Sequence, residues 1–518
     1  MTAESACNAK HFDQVTDWVV YHARRTPHRT ALDGLDTGLT LTWAALDDRV
    51  ARLSGALVAK FGVVPGDRVA LIADDDPRVI ELQLACFRVG ALFVPLNWRL
   101  ARAELEALCR DAEPALLVHD AVWQDLAVSV AERVAIPAVA SWDCADSPAD
   151  IDAARDGADR LRAGAFRSGG QIGQVLYTSG TTGLPKGVMV PLRSLAANTL
   201  NIFHGIALGP SRRYLSVVPL FHAAGLNVLA NPVMIAGGRM SIAKRFDPER
   251  VAGLLGDPDN GFSHFNAVPA MYQMLADSGL GAGDYSALIG AQAGAGSLET
   301  ELSDHLAEHG ITVQTSWGAT EMGPVLTLLP REARAAKNHT VGFPVQHTQL
   351  RVVDPDSGAD VADGEVGEAW ARGASVCTQY WNREPDDSAA AREGWFRSGD
   401  AICIDEDGFV VFRGRFKDMY KSGGENVYTA EVENVLAAHA NVAEVAVIGV
   451  PDAKWGEVGC AVVVPASATG VELADLVEHC TGRLARFKHP RSVVIVESLP
   501  RNTLGKVQKD QLRTLIRR

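Results

Sequence analysis

Over residues 1–170, stretches of helical period such as TWAALDDRVARLSGALVAKF alternate with short apolar runs such as RVALIA and ALFVPL. Alternation of that kind leaves few options for the fold: βαβ units around a mostly parallel sheet covered by helices. The pattern resumes further on, where LRSLAANTLNIF reads as helix, RYLSVVPL as strand and FSHFNAVPAMYQML as a strand running into a helix. From about residue 340 the character changes to strands and turns, as in TQLRVVDPDSGADVADGEVGEAWARG. A last segment, from about 417 to 518, has strands of its own (VAEVAVIGV, CAVVVPA, SVVIVES) and two helical patterns, AEVENVLAAH and LADLVEHCTGRLARF. That is enough for an independent domain of about 100 residues. The expected class is α/β: a large N-terminal domain of doubly wound, layered sheets with a β-rich subdomain, then a small α+β C-terminal domain. At 518 residues the chain is too long for one ordinary core, in keeping with that division.

Composition excludes several classes. With 47% hydrophobic and 22% charged residues the chain is globular and neither disordered nor fibrous. A formal charge of −14 argues against nucleic-acid binding, which draws its affinity from clustered lysine and arginine. The eight cysteines (7, 86, 109, 144, 377, 403, 460 and 480) form no CxxC pair, so neither zinc ligation nor a disulfide framework is expected, and a reducing cytoplasm fits. The opening MTAESACNAKHFDQ has no basic segment followed by an apolar one, so no signal peptide is expected. From Tyr214 to Gly238 there is no Asp, Glu, Lys or Arg, a run long enough to cross a bilayer. Its Pro219, His222, Gly225, Asn227, Asn231 and Pro232 would leave broken, polar backbone in lipid, so buried strand, loop and helix are expected there and no membrane span.

Residues 178–187 read TSGTTGLPKG, directly after the apolar run Val175-Leu176-Tyr177. Glycines let successive backbone N–H groups point into one concavity, hydroxyls add donors, and Lys186 supplies a mobile cation. The ligand such a loop suits is phosphate. A Walker A loop reads GxxxxGK[ST]; here Lys186 comes one place late after Gly180 and is followed by Gly187, so the P-loop NTPases are excluded on spacing. Taken alone, a surface turn is the usual fate of such composition.

Five motifs stand in one order: YTSGTTGLPKG (177–187), VPLFHAAG (218–225), SWGATE (316–321), WFRSGD (395–400) with GRFKDMYKSGGENVYTAEVE (414–433), and RNTLGKVQK (501–509). Together, and over essentially the whole chain, they resemble the adenylate-forming superfamily of acyl-CoA synthetases, carrier-protein adenylation domains and firefly-type luciferases. In that company the surface-turn reading of 178–187 falls away. The resemblance implies a reaction in two steps: a carboxylate attacks the α-phosphate of ATP to give acyl-AMP and pyrophosphate, then a thiol, here that of coenzyme A, displaces AMP. It also implies an N-terminal domain over 1–414 (its β-rich part about 340–414), a hinge at 415–417 and a mobile C-terminal domain over 418–518.

The resemblance assigns roles residue by residue, and the chemistry asks for each. Charge builds on the equatorial oxygens of the transferred phosphorus, and one well-placed donor there is worth on the order of 3 kcal/mol. Thr178, Ser179, Gly180, Thr181, Thr182, Gly183 and Lys186 match the phosphate-binding loop. Thr320 matches a hydroxyl on the α-phosphate and Glu321 the carboxylate for Mg2+, a hard cation that keeps several waters. Asp400 matches the acceptor for the ribose hydroxyls, Arg415 a contact to ribose or phosphate, and Lys417 the hinge. Lys506 matches the lysine that the C-terminal domain brings to the carboxylate and α-phosphate. Gly423 and Gly424 match the turn that swings toward the pantetheine tunnel. Trp317 and Gly318, with Gly294, Ala295 and Gly296 of the run 291–297, fall beside the adenine. Trp317 replaces the usual tyrosine, Gly296 a proline, and Gln379 stands where a glycine is common.

Amino-acid adenylation domains place an aspartate where this chain has His222, so an amino-acid substrate is disfavoured; His222 itself is either a packed, neutral residue or a gate of the pocket. The small residues Ala223, Ala224, Gly225 and Ala293 leave room for a bulky acid, ring-bearing or long. An acyl-CoA synthetase is the leading reading. The same motifs also serve an enzyme that loads a carrier protein, a variant that performs mainly thioesterification, or a nucleotide-binding protein without catalysis. Oligomeric state has no signal in the sequence.

Overall fold

The computed structural model describes residues 14–143, 149–161, 166–178, 185–281, 283–296, 298–383, 391–392, 394–422, 425–467, 470–502 and 505–516. The helix Pro77–Val89 illustrates how local chemistry and layering agree. Asp76 caps it by accepting the Arg78 N–H (2.8 Å), Pro77 takes the first helical position where no N–H is needed, and Gly90 ends it at φ +93°. All but one of its thirteen residues are buried, so it lies inside the molecule between layers and presents no single apolar stripe.

The first sheet has the order Lys186–Pro191, Ile172–Thr178, Leu92–Pro95, Arg68–Ile72, Leu116–Asp120 and Ala138–Trp142. It is parallel except for Lys186–Pro191, which runs antiparallel to Ile172–Thr178. The second sheet has nine strands, with Val313–Trp317, Gly290–Ala293, His264–Ala267, Arg213–Ser216, Arg239–Ile242 and Thr30–Gly34 parallel at its centre. One hydrophobic cluster joins the sheets, with Val69, Leu176 and Val190 from the first and Leu32, Tyr214 and Met240 from the second. A different cluster covers the outer face of the second sheet, where Phe265, Ala291, Ala293 and Val313 meet Leu255, Tyr272 and Leu306 of the helices Pro248–Leu255, Pro269–Asp277 and Thr300–Glu308. Side chains alternate along a strand, so Asn266, Gln292 and Gln314, which share one register, point to the inner face.

The third sheet is antiparallel: Thr348–Val353, Gly367–Gly373 and Trp395–Ile404, the last also paired with Ala391–Arg392 and Val410–Arg415. The fourth holds Glu425–Val427, Tyr420–Ser422, Gly456–Pro465, Val442–Asp452 and Ser492–Ile495. It has its own core around Tyr420, Val432, Leu436, Ala461 and Leu476. The chain thus leaves the third sheet at Arg415 and enters the fourth at Tyr420.

Two sequence expectations need shortening. RYLSVVPL is strand only over Arg213–Ser216. LADLVEHCTGRLARF is helix only over Leu473–Cys480, because Thr481 turns extended and Gly482 takes φ +80°; a single 3-10 turn follows at Arg486–Lys488. The charge-free run from Tyr214 to Gly238 folds as strand, tight turn, the π-helical turn Leu226–Ala230 and the helix Asn231–Ile235. No helix of the described residues is long and apolar enough to cross a membrane.

Candidate active site

The glycine-rich segment begins at the carboxyl edge of the first sheet, where open α/β sheets bind ligands. Lys186 stands directly opposite Thr178 in the ladder, and the Thr178 hydroxyl donates to the Lys186 carbonyl at 3.4 Å. Ser179, Gly180, Thr181, Thr182 and Gly183 lie outside the described residues, as do Gly423, Gly424 and Ser297. The Lys186 ammonium sits 5.4 Å from the centre of the Tyr380 ring, a cation–π contact, and the Tyr380 hydroxyl donates to Glu321 Oε1 at 2.9 Å. Burial and then the Glu321 carboxylate push the Tyr380 phenol up, so it stays a donor. Tyr380 is placed by backbone pairing: the Met189 N–H donates to the Gln379 carbonyl (3.0 Å) and the Trp381 N–H to that of Gly187 (2.7 Å). The side chain of Gln379 stays exposed, so its identity matters little to this docking.

Glu321 follows the strand Val313–Trp317 on the 3-10 turn Thr320–Met322. The chain folds back so tightly there that a Cβ on Gly318 would collide with the carbonyl of Pro324. Glu321 is half-buried, with one carboxylate oxygen already oriented by Tyr380. Among the described residues no group of three or more His, Cys, Asp and Glu could hold a metal by protein ligands alone. A single oriented carboxylate suits Mg2+, which keeps waters and takes phosphate oxygens for its remaining positions.

Asp400 is the most constrained of the expected residues. It is 4% exposed on the strand Trp395–Ile404, and its Oδ2 accepts the Trp317 indole N–H at 3.0 Å. Its own N–H donates to Ser398 Oγ (3.0 Å), which in turn donates to the Ala369 carbonyl (2.8 Å). Arg415 is its cross-strand partner, with Nε 2.9 Å from Asp400 Oδ1. Burial raises the Asp400 carboxyl, while Arg415 and Lys506 pull it back down. Lys506 comes from the fourth-sheet domain, on a turn in which its N–H donates to Asn502 Oδ1 (2.9 Å) and its carbonyl accepts the Asn502 N–H (2.8 Å). Its side chain is reached by solvent yet lies in a crowded cleft. That crowding, then Arg415, lowers the ammonium to about 8 against the attraction of Asp400.

His222 packs against Phe221 with ring centres 4.5 Å apart and the rings tilted by 58°, its Nε2 buried without a hydrogen-bond partner among the described residues. Burial and then Arg99 lower it to about 3, so it is neutral at ordinary pH, as the packed-histidine reading expects. Ala223 is buried in the cluster between the sheets. Gly225 is small because a Cβ there would collide with the Pro219 carbonyl, a backbone demand and not a matter of pocket width. Ala293 packs on the outer face against the helices, so it does not line the inner layer. Gly294 is on the inner side beside Ser316, and the exposed Ala295 takes the left-handed conformation at φ +63°. Lys417 lies on the 3-10 turn Phe416–Asp418 between the third and fourth sheets.

Three residues were given no role of their own in the sequence reading. Tyr380 carried only the signal of an aromatic after Gln379. Asp75, in the run ADDDP, reads as a solvated acid, yet it accepts the Leu220 N–H at 3.0 Å and so pins the VPLF segment, with burial pushing it up to about 7. Gln292 is a polar residue in an otherwise small, buried strand, Gly290–Ala293.

Two family models match the chain: that of AMP-binding enzymes over residues 19–381 and that of the AMP-binding enzyme C-terminal domain over residues 431–506. A feruloyl-CoA synthase of Amycolatopsis sp. is 37% identical over 96% of this chain and 98% of its own. An indoleacetate–CoA ligase of Aromatoleum aromaticum is 34% identical over 98% of both. Among solved structures, ATP-bound MatB from Rhodopseudomonas palustris superposes with a TM-score of 0.86 at 30% identity, over 97% of this chain and 99% of that one. The o-succinylbenzoate CoA synthetase (MenE) of Bacillus subtilis in complex with its acyl-adenylate intermediate gives 0.86 at 28%, over 96% and 98%. The chain therefore belongs to the AMP-binding enzymes, as an adenylate-forming acid–thiol ligase of the acyl-CoA synthetase type.

Proposed function

We propose that this enzyme joins a ring-bearing carboxylic acid to coenzyme A. The acid's carboxylate attacks the α-phosphorus of ATP, the bond to pyrophosphate breaks, and the resulting acyl-AMP gives up its acyl group to the CoA thiolate as AMP leaves. The observation that carries this reading is the buried carboxylate of Asp400, bound by the Trp317 indole N–H and by Arg415 from separate parts of the chain, with the Lys506 charge favouring its ionised form. Such a carboxylate is suited to two vicinal ribose hydroxyls. Thr178 and Lys186, with the loop 179–183, hold phosphates, and Thr320 faces the α-phosphate. Glu321 holds Mg2+, which neutralises phosphate charge when bound. Gly294, Ala295, Gly296, Trp317 and Gly318 form the adenine wall, and Lys506 steadies the charge that develops during acid activation.

The N-terminal domain in this reading spans 1–414, the hinge 415–417 and the rotating domain 418–518. The change of sheet between Arg415 and Tyr420 supports that hinge. Rotation then carries Gly423 and Gly424 toward the thiol. The names of the relatives support a ring-bearing acid. A cytoplasmic location belongs to the same reading, supported by the six described cysteines, all of them free.

Mass spectrometry of the purified protein with ATP, Mg2+ and a mixed panel of aromatic, alicyclic and fatty acids tests it. Acyl-AMP without CoA and acyl-CoA with it, strongest for ring acids, is the expected result. Faster turnover of acetate than of every larger acid sinks the substrate class, and release of AMP only when a carrier protein is added sinks CoA as the acceptor.

A further inference from the structure

Four buried carboxamides bond head to tail in a closed ring. Gln83 Nε2 donates to Asn231 Oδ1 at 2.8 Å, Asn231 Nδ2 to Asn227 Oδ1 at 2.8 Å, Asn227 Nδ2 to Gln174 Oε1 at 2.9 Å, and Gln174 Nε2 back to Gln83 Oε1 at 2.7 Å. None of the four is more than 3% exposed. Longer contacts join Gln174 Nε2 to Asn227 Oδ1 (3.4 Å) and Asn231 Nδ2 to Gln83 Oε1 (3.5 Å), so the ring consists of two reciprocal amide pairs, Gln174 with Asn227 and Gln83 with Asn231. Burying four amides is tolerable because the network is satisfied and its bonds reinforce one another away from water. Apolar side chains of the same shape would fill the space as well, so the ring calls for a reason beyond packing.

Its members show what it connects. Gln174 lies on Ile172–Thr178, the strand that runs into the glycine-rich loop, and Asn227 lies in the π-helical turn Leu226–Ala230. That turn continues directly from His222–Gly225, since the Leu226 N–H donates to the His222 carbonyl at 2.9 Å. A π-helical turn is a rare geometry, and here it leaves one backbone group in need. The Asn231 N–H goes to the Leu226 carbonyl, and the Asn227 carbonyl would next take the N–H of residue 232, which is a proline and has none. Asn198 supplies the missing donor, its Nδ2 lying 2.7 Å from the Asn227 carbonyl. It does so from the helix Leu192–Phe203, which follows the strand Lys186–Pro191 on the other side of the glycine-rich loop. Asn227 is therefore gripped twice, its side chain from the strand before the loop and its carbonyl from the helix after it.

We infer that Asn227 is a positioning residue for acid activation: tied to both flanks of the phosphate loop, it fixes where the turn His222–Gly225, and the acid against it, stands relative to the α-phosphate. This rests on the reading that the acid lies against that turn. The test is the double variant Gln174→Met/Asn227→Leu, which keeps the side-chain shapes, cuts the tie to the strand and leaves Gln83 and Asn231 bonded to each other. Its Tm should stay close to that of the wild type. The acid is the one turned over fastest by the wild type from a panel of acetate, octanoate, benzoate, cinnamate and indoleacetate. Its kcat/KM for pyrophosphate release should fall about ten- to a hundredfold, with KM for ATP changed less than about twofold. Conversion of the chemically prepared acyl-AMP of that acid to thioester should be spared, because acid and phosphate are then already joined. Gln83→Met leaves the Gln174–Asn227 pair in place and should keep kcat/KM for the acid within about threefold of the wild type, even if its Tm falls.

A double variant that activates the acid as well as the wild type makes the ring a packing feature and overturns the inference. Equal loss in the thioester step, or an equal rise in KM for ATP, shows general loosening and overturns it too. A loss in Gln83→Met as large as in the double variant removes the assignment to Asn227. Each of these leaves the proposed function standing, whereas a wild-type chain that activates no acid of the panel overturns both. Should the double variant fail to fold, Gln174→Met alone decides by the same readouts, and an unchanged kcat/KM for the acid overturns the inference.

Discussion

Asp400 and Lys506 influence each other electrostatically across the boundary between the two domains, and they are held by different means. Asp400 sits in a continuous ladder, with Ser398 fixing its backbone and Trp317 and Arg415 fixing its carboxylate. Lys506 hangs on a short turn tied mainly to its own neighbour Asn502. The first arrangement suits a group that binds nucleotide in both half-reactions and must not reorganise. The second suits a group delivered for one half-reaction by a domain that then rotates away.

Four measurements would break or sharpen that contrast. Lys506→Ala should slow acyl-AMP formation by about a hundred- to a thousandfold and spare the conversion of supplied acyl-AMP to thioester. Equal loss in both steps would break the contrast at its centre. Trp317→Phe keeps an aromatic wall and removes the N–H on Asp400; the KM for ATP should rise about tenfold, and an unchanged value would show that the ladder alone holds the carboxylate.

The third measurement is a pH profile. An ammonium lowered to about 8 is protonated below that pH and neutral above it, so kcat/KM for adenylation in the free enzyme should fall above about pH 8. Lys506→Arg should move that limb out of range, and its persistence would assign it to another group. The smallest effect expected is that of Tyr380→Phe, which frees Glu321. The Mg2+ concentration for half-maximal rate should rise two- to fivefold, corresponding to loss of about one hydrogen bond. No change would mean that Glu321 needs no such partner.

Much of the fold was legible beforehand because its signals are local. Alternating helical and apolar patterns marked the layers, and Asp76, Pro77 and Gly90 are start and stop signals for one helix. The pattern misled where a local breaker outweighed periodicity, as at Thr481 and Gly482. Of the site, Thr178, Lys186, Glu321, Asp400 and Lys506 were read from motifs, and of these the structure gathers Lys186 with Glu321 about Tyr380 and brings the Lys506 charge within electrostatic reach of Asp400. Ala293 was read as pocket wall and lies on the other face of its strand. Asp75 was passed over, since nothing in a run of three aspartates says which one reaches another segment's backbone.

What the sequence by itself determined is the chemistry available and its order along the chain: a phosphate loop, a lone carboxylate suited to a hard cation, an acceptor suited to ribose, and a lysine near the C-terminus. The suitability of the loop for phosphate follows from residue type and short spacing, and the other three roles from the family that the ordered motifs resemble. Only the tertiary structure decided which of them face each other. Trp317 and Asp400 are 83 positions apart, and the strand register that orients Gln292 inward and Ala293 outward depends on pairing with two other strands. A one-residue shift of that register would exchange the two faces, so the burial of Gln292 is a property of the assembled sheet and not of the residues beside it.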